Sequence, residues 1–392
     1  MRAAVESTVD PRLFHPIGAL GMVSSVEERR RSTAVVLKVP SGGHPDEQAL
    51  IGAVTEAVAR AGGSPAEIHL AAMTSGEELE LQARLHELGR TQRPAPAASP
   101  FGAGGQQAGP GTTRSGQHGA EGPAPRANPF AEKGSPTRVI AIGSGKGGVG
   151  KSSVTVNVAV SLARLGHSVA LLDADVYGFS VPSMLGLAEA PSLIGDLLLP
   201  PVAWGVRCIS MGFFVPEDQA VIWRGPMLHK ALEQFLVDVH WGSPEFLLID
   251  LPPGTGDVSL SIAQFVPSAE LLVVTTPQPA AERVAQRAAV LAKQLRLPLR
   301  GVIENMSWFT GDDGKRYELF GSGGGQALAS SLGVPLLAQI PLLAALREGG
   351  DSGKPIAAVD PDNEVSRAFA ELAEKVVSLG PSRVYRSELS VR

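Results

Sequence analysis

Cysteine is almost absent from this sequence. Cys208 is the only one in 392 residues, which excludes a disulfide framework or a CxxC metal site built within one chain. Long apolar runs are missing as well: no stretch reaches the roughly 18 uninterrupted apolar residues of a membrane span. The opening MRAAVESTVDPRLFHP has no apolar segment behind a basic end. No membrane partner and a cytoplasmic location are expected. Positive charge is not in excess, with Lys+Arg 34 against Asp+Glu 39 and a net charge of -5, so no nucleic-acid partner is expected either. What is present is 44% hydrophobic residues, the composition of an ordinary soluble globular protein with ample material for a core.

Composition shifts sharply between about Gly89 and Pro136, where TQRPAPAASPFGAGGQQAGPGTTRSGQHGAEGPAPRANPF is dense in Pro, Gly, Ala, Ser and Gln. With few large apolar side chains, such a stretch does not bury enough surface to offset the entropy of ordering it. It reads as a flexible linker over 90–135, separating a module of residues 1–89 from a domain of residues 136–392. In the module, ALGMVSSVEERRRSTAVVLKVP predicts two strands around a charged turn, then a helix over Asp46–Ala61 and a strand near Ala66–Ala72. That is a small α+β unit. In the domain, the runs RVIAIGS, SVALLDAD, RCISMG, FLLIDLP, LLVVTTP, LRGVIEN and VPLLAQIP alternate with helical stretches, among them Ser152–Leu165, Met227–Val239 and Ala280–Leu295. Continuous apolar strands with helices between them predict a doubly wound α/β fold whose mostly parallel sheet is buried on both faces.

The first of those strands runs into Gly145-Lys146-Gly147-Gly148-Val149-Gly150-Lys151-Ser152. This is G-x-x-x-x-G-K-[ST] in the strand-then-helix context that a phosphate loop requires. The glycines let backbone N–H groups wrap the phosphates, Lys151 reaches the β- and γ-phosphates, and the Ser152 hydroxyl is placed to ligate Mg²⁺. Lys146 is a second lysine. The segment GKGGVGKS resembles the deviant subclass of P-loop ATPases, in which the extra lysine reaches across a homodimer interface to the partner's nucleotide, as an arginine finger does.

Two acidic motifs follow at strand ends, where ligands sit in open α/β sheets. In ALLDADVYGFSVP, Asp175 is the candidate for positioning and polarising the attacking water, and Asp173 is a supporting Mg²⁺ or structural group. In FLLIDLPPGTGD, Asp250 follows four apolar residues as a Mg²⁺-associated carboxylate, and the N–H of Gly254 is placed to sense the γ-phosphate. A lone strand-end Asp is more often a cap, but three behind a phosphate loop are not independent.

From Arg138 onward, GKGGVGKSS, LLDADVYGFSVPSMLG, WRGPMLHKALEQFL, LLIDLPPGTGD, TTPQ, GVIENMSWF, the ELFGSGGG run and DSGKP resemble the Mrp/NBP35 (ApbC) family of iron–sulfur cluster carrier ATPases. The first ninety residues resemble the MIP18-like (DUF59) module through VDPRLFHPIGALGMV. The resemblance implies ATP as substrate, Ser153 near the α-phosphate, Asn305 hydrogen-bonding adenine at the close of its strand, and transfer of iron–sulfur clusters to apoprotein clients. It also implies a CxxC shortly after ENMS, from which two subunits supply four thiolates to a bridging cluster. Here that segment reads Phe309-Thr310-Gly311-Asp312-Asp313-Gly314-Lys315-Arg316-Tyr317, whose D-D-G predicts a hairpin turn. The module departs in parallel, with Gly43-His44-Pro45 where its relatives commonly carry a cysteine before proline. Cys208 in RCIS reads as a buried structural thiol and His44 as a loop residue. Asp312, Asp313 and Glu318 read as a solvated turn, and Gly321–Gly325 as a loop before a helix.

Three functions fit these motifs. The first is an ATP-hydrolysing iron–sulfur carrier or assembly protein. The second is an ATP-switched scaffold of the same fold that has lost cluster ligation. A partition or positioning ATPase ranks last, because the tail PSRVYRSELSVR offers little apolar face for a membrane and the composition no basic surface for DNA.

Overall fold

The computed structural model describes residues 1–88, 128–131, 135–176, 178–195, 197–215, 225–254, 256–278, 287 and 290–381. Nearly all of the predicted linker, most of the helix expected over Ala280–Leu295 and the tail from 382 lie outside the described residues. The chain divides into two compact units, Met1–Pro129 with Leu193–Leu198, and Phe130–Ser192 with Leu199–Arg392.

In the first unit a short helix α1 (Arg2–Glu6) precedes β1 (Val23–Glu28), β2 (Thr33–Val39), α2 (Glu47–Arg60), β3 (Ala66–Ala72) and α3 (Ser75–Leu88). β1 pairs antiparallel with β2, and β2 pairs parallel with β3. The predicted strands and the α2 helix are all present. Asp46 starts α2 by accepting the Ala49 N–H at 3.0 Å, the N-cap role its side chain suits. α3 is an addition to the sequence reading. Its start is a reciprocal capping box, in which Thr74 N–H donates to Glu77 Oε2 at 2.9 Å and Glu77 N–H to Thr74 Oγ1 at 3.4 Å.

After Pro129 the elements run β4 (Arg138–Ser144), α4 (Lys151–Arg164), β5 (Val169–Asp173), α5 (Val181–Leu185), β6 (Ser192–Ile194), β7 (Leu197–Leu199), β8 (Val202–Ala203), β9 (Val206–Ser210), α6 (Gly225–Val237), β10 (Phe246–Asp250), α7 (Asp257–Phe265), β11 (Glu270–Thr275), β12 (Leu299–Thr310), β13 (Arg316–Tyr317), α8 (Gly324–Leu332), β14 (Leu336–Leu342), α9 (Ala344–Asp351), α10 (Ile356–Val359) and α11 (Glu364–Ser378), all in the second unit except β6 and β7, most of whose residues fall in the Leu193–Leu198 segment of the first. The β6–β7 pair forms a separate ribbon. The main sheet runs β13-β12-β11-β4-β10-β5-β9-β8, with β14 beside β12. Its interior pairs are parallel, and only the short β8 and β13 run antiparallel. Every residue of β5, β9, β10 and β11 is buried, as strands covered by helices on both faces must be.

α4 shows why this layering is needed. Its sequence KSSVTVNVAVSLAR is rich in β-branched residues with modest helix propensity. Yet Val154, Val156, Val158, Val160 and Leu162 are at most 1% exposed. They share one core with Phe369, Leu372 and Val376 of α11 and with sheet residues such as Ile142, Leu171 and Leu248. A helix that is apolar nearly all round is stable only when enclosed. Enclosure fixes its N-terminus, and with it the loop leaving β4.

Candidate nucleotide site

The Gly145–Gly150 turn links the C-terminal end of β4 to the N-terminus of α4. Gly148 and Gly150 have φ of +73° and +77°, a left-handed backbone that glycine adopts without strain. A Cβ on Gly147 or Gly148 would meet no atom within 4 Å, so the loop faces open space. Gly145 and Val149 are buried beneath it. This is the geometry of an anion cradle, with N–H groups and a helix N-terminus opening on one volume.

Lys151, Ser152 and Asp250 meet directly under the loop. Lys151 Nζ and Ser152 Oγ each donate to Asp250 Oδ2 at 2.6 Å. Asp250 is fully buried at the end of β10, behind the apolar residues Phe246–Ile249. Thr155, one turn into α4, donates to the other carboxylate oxygen at 2.8 Å. The sequence reading did not single out Thr155, although its position four residues after Lys151 puts it on the same helix face.

Asp175 and Asp173, read together in the sequence, have different surroundings. Asp175 is partly exposed and its carboxylate lies 3.9 Å from Lys151 Nζ. Asp173 is 1% exposed, with Oδ2 accepting from Ser210 Oγ at 2.9 Å and Oδ1 from the Asp175 N–H at 3.1 Å. Burial, followed by the charge of Asp250, pushes its pKa up to about 8. Gly254 has φ of +86°, and its N–H donates to Ser144 O at 3.3 Å.

Asn305 does not close its strand as expected. β12 continues to Thr310 through an irregularity in which Met306 takes φ of +59° and the register with β14 shifts between Asn305 and Phe309. Asn305 Nδ2 donates to Val149 O of the phosphate loop at 2.9 Å, while its buried Oδ1 has no hydrogen-bond partner among the described residues. Asn305 and Ser153 line a cavity with Met184, Met306, Pro341 and Leu346. An apolar slot with one orphaned acceptor fits a flat heterocycle carrying an amino donor. Lys146 is held apart from this group, donating to Gln278 Oε1 at 2.6 Å.

The donor set fits a Mg²⁺ ion brought by a nucleotide. Ser152 Oγ and Asp250 supply hard oxygens, and Mg²⁺ takes one or two protein oxygens with phosphate and water completing its shell. Among the described residues no cluster of three or more His, Cys, Asp or Glu could hold a metal unaided. An iron–sulfur cluster finds no such fit. Cys208 lies fully buried in β9, and burial, then Asp173, pushes its thiol pKa well up. His44 lies in the loop before α2, as expected, and its side chain is fully buried, with Nε2 on Asp10 Oδ2 at 2.9 Å and Nδ1 accepting the Asp46 N–H at 3.0 Å. Both ring nitrogens are occupied. The expected D-D-G hairpin is present between β12 and β13, pairing Phe309 with Tyr317.

Residues 135–377 match the ParA family described as NUBPL iron-transfer P-loop NTPase. The chain belongs to this family. Beyond the P-loop domain, it is 42% identical over 382 residues to an iron-sulfur cluster carrier protein of Mycobacterium tuberculosis (strain ATCC 25618 / H37Rv), covering 95% of this chain and 91% of that protein. A Bacillus subtilis (strain 168) protein of the same description is 51% identical over 208 residues, 53% of this chain and 59% of its own length. Among solved structures, the nucleotide-binding protein of Archaeoglobus fulgidus in complex with ADP superposes with a TM-score of 0.52 at 33% identity, covering 59% of this chain and 91% of that one. The domain is a nucleotide-binding P-loop NTPase of the iron–sulfur carrier family. Among the described residues no helix is long and apolar enough to cross a membrane.

Proposed function

We propose that the chain is an ATP-hydrolysing iron–sulfur carrier or assembly protein that works as a nucleotide-switched homodimer and serves apoprotein clients. The observation that carries it is the convergence of Lys151, Ser152 and Asp250 under an open glycine loop, in a chain whose relatives are named iron-sulfur cluster carrier proteins. In this reading residues 1–89 and 136–392 are separate modules joined by a linker over 90–135. Gly145–Ser152 wraps the phosphates, Ser153 lies beside the α-phosphate, and the orphaned Asn305 Oδ1 accepts the adenine amino group. Ser152 and Asp250, with Asp173 behind them, would hold Mg²⁺, which when bound draws negative charge from the phosphate oxygens. Asp175 orients the attacking water. Lys146 supplies positive charge to the partner's site, where the transition state gains negative charge.

The cargo is the cluster, and the chain offers it no accessible thiolate. That favours a second reading, an ATP-switched scaffold that promotes assembly without holding the cluster itself. Anaerobic reconstitution with iron and sulfide decides between them. Cluster absorbance and activation of an apo-target support direct carriage. No iron or sulfide uptake, together with nucleotide-dependent capture of clients by Asp175→Ala that is indifferent to iron, supports the scaffold.

A further inference from the structure

Lys146 does not turn toward the carboxylates of its own protomer. β4, which carries the phosphate loop, lies between β11 and β10. Gln278 follows β11, whereas Asp250 ends β10 and Asp175 follows β5 beyond it. The bond to Gln278 Oε1 therefore draws the ammonium to the side of the loop away from the acidic pair, although a carboxylate is the stronger acceptor for a cation.

The acceptor's position is built from behind. Gly324, at the start of α8, comes so close to the preceding segment that a Cβ there would meet Pro277 O at 2.6 Å and Gln278 O at 2.9 Å. One residue on, Gly325 N–H donates to Glu304 Oε2 at 2.5 Å. Glu304 is 1% exposed, and its Oε1 accepts from Ser307 Oγ at 2.9 Å and Gln339 Nε2 at 2.8 Å. The glycine run 323–325, which carries no phosphate-loop signature, thus forms a platform. A buried carboxylate that accepts from Ser307, Gln339 and Gly325 locks it, and the backbone of Gln278 rests on it.

We propose that Gln278, seated on this Glu304–Gly325 platform, is a positioning residue that holds Lys146 on its own protomer until a second protomer arrives. The proposal rests on the reading of Lys146 as the residue that completes the partner's site. On that reading Lys146 has to extend across the interface, so a bond that holds its ammonium at Gln278 on its own protomer competes with assembly of the active dimer. One bond of this kind at the surface is worth a few-fold bias, not an absolute block. The glycines at 324 and 325 are required because side chains there would displace the platform.

The test is steady-state ATP hydrolysis by the full-length protein as a function of its concentration, with nucleotide affinity measured alongside. Gln278→Ala should lower the protein concentration giving half-maximal specific activity by about threefold. Gln278→Glu, which keeps the shape and adds a charge, should raise it by at least as much. Both should bind nucleotide within about twofold of wild type, because Gln278 meets the phosphate loop through the Lys146 ammonium and not through the loop N–H groups, Lys151 or Ser152. Opposite shifts are the signature, since a merely structural role for Gln278 would move both variants the same way. Shifts of the same sign, or none, overturn the latch. Lys146→Ala separates the two ideas: an inert Lys146→Ala with unshifted Gln278 variants removes the latch alone, whereas a fully active Lys146→Ala removes the reading beneath it as well.

Discussion

In the N-terminal unit, Asp10 and His44 are fully buried and bonded to each other. The remaining capacity of the pair is spent on the N–H groups of Arg12, Leu13 and Asp46. In the P-loop domain, Lys151, Ser152, Thr155 and Asp250 are packed as closely, but the loop above them faces open space and Asn305 keeps an unpaired oxygen beside a cavity. Both are buried polar clusters, and the difference lies in what they leave over. A cluster whose donors and acceptors are consumed internally specifies structure. One that ends at unfilled space and an orphaned acceptor is built to receive a ligand. By that criterion the module's histidine is a structural element.

The comparison is easiest to break at Lys151. Lys151→Ala should abolish measurable nucleotide binding, a loss of about a thousandfold or more when a phosphate-binding cation is removed from a buried site. It should also lower stability by about 3–5 kcal/mol, because the buried Asp250 charge loses its counter-ion. Isothermal calorimetry and denaturant unfolding read the two effects separately. His44→Ala should do the reverse, costing about 1–3 kcal/mol in stability of the N-terminal unit while ATP affinity stays at the wild-type value. A His44→Ala protein that loses ATP binding would erase the distinction between the clusters. Thr155→Val, which keeps the volume and removes the hydroxyl donated to Asp250, should raise the KM for Mg·ATP by about three- to tenfold. The smallest signal is at Cys208: its thiol should resist alkylation at neutral pH in the folded protein and react once guanidinium unfolds it. Labelling of the native protein would reopen a ligand role for that sulfur.

Much of the fold was legible because its signals are local. Continuous apolar runs such as FLLI and LLVV marked buried parallel strands, and the phosphate loop is a backbone motif whose glycines and lysines are contiguous. α3 was equally legible in principle, through Thr74 and Glu77 at capping-box spacing, but its charged sequence has a weak apolar stripe and it abuts the Pro/Gly-rich stretch. The contacts that distinguish this site were not legible. Lys146 meets Gln278, and Gly325 meets Glu304, only because parallel crossovers bring distant strand ends together, and single-chain periodicity carries no record of those pairs. The burial of the His44 side chain was not legible for the same reason: its partner, Asp10, lies 34 residues away. The extension of β12 past Asn305 depends on Met306 accepting a left-handed backbone, which nothing in a methionine announces.

The central claim is that the two loop lysines do different work, Lys151 in its own site and Lys146 in the partner's. The most direct measurement takes full-length Lys146→Ala and determines nucleotide affinity and ATP turnover on the same preparation. Affinity within about twofold of wild type, with turnover reduced by about a hundredfold or more, is the predicted result. Turnover at the wild-type rate, or affinity lost together with turnover, would contradict it.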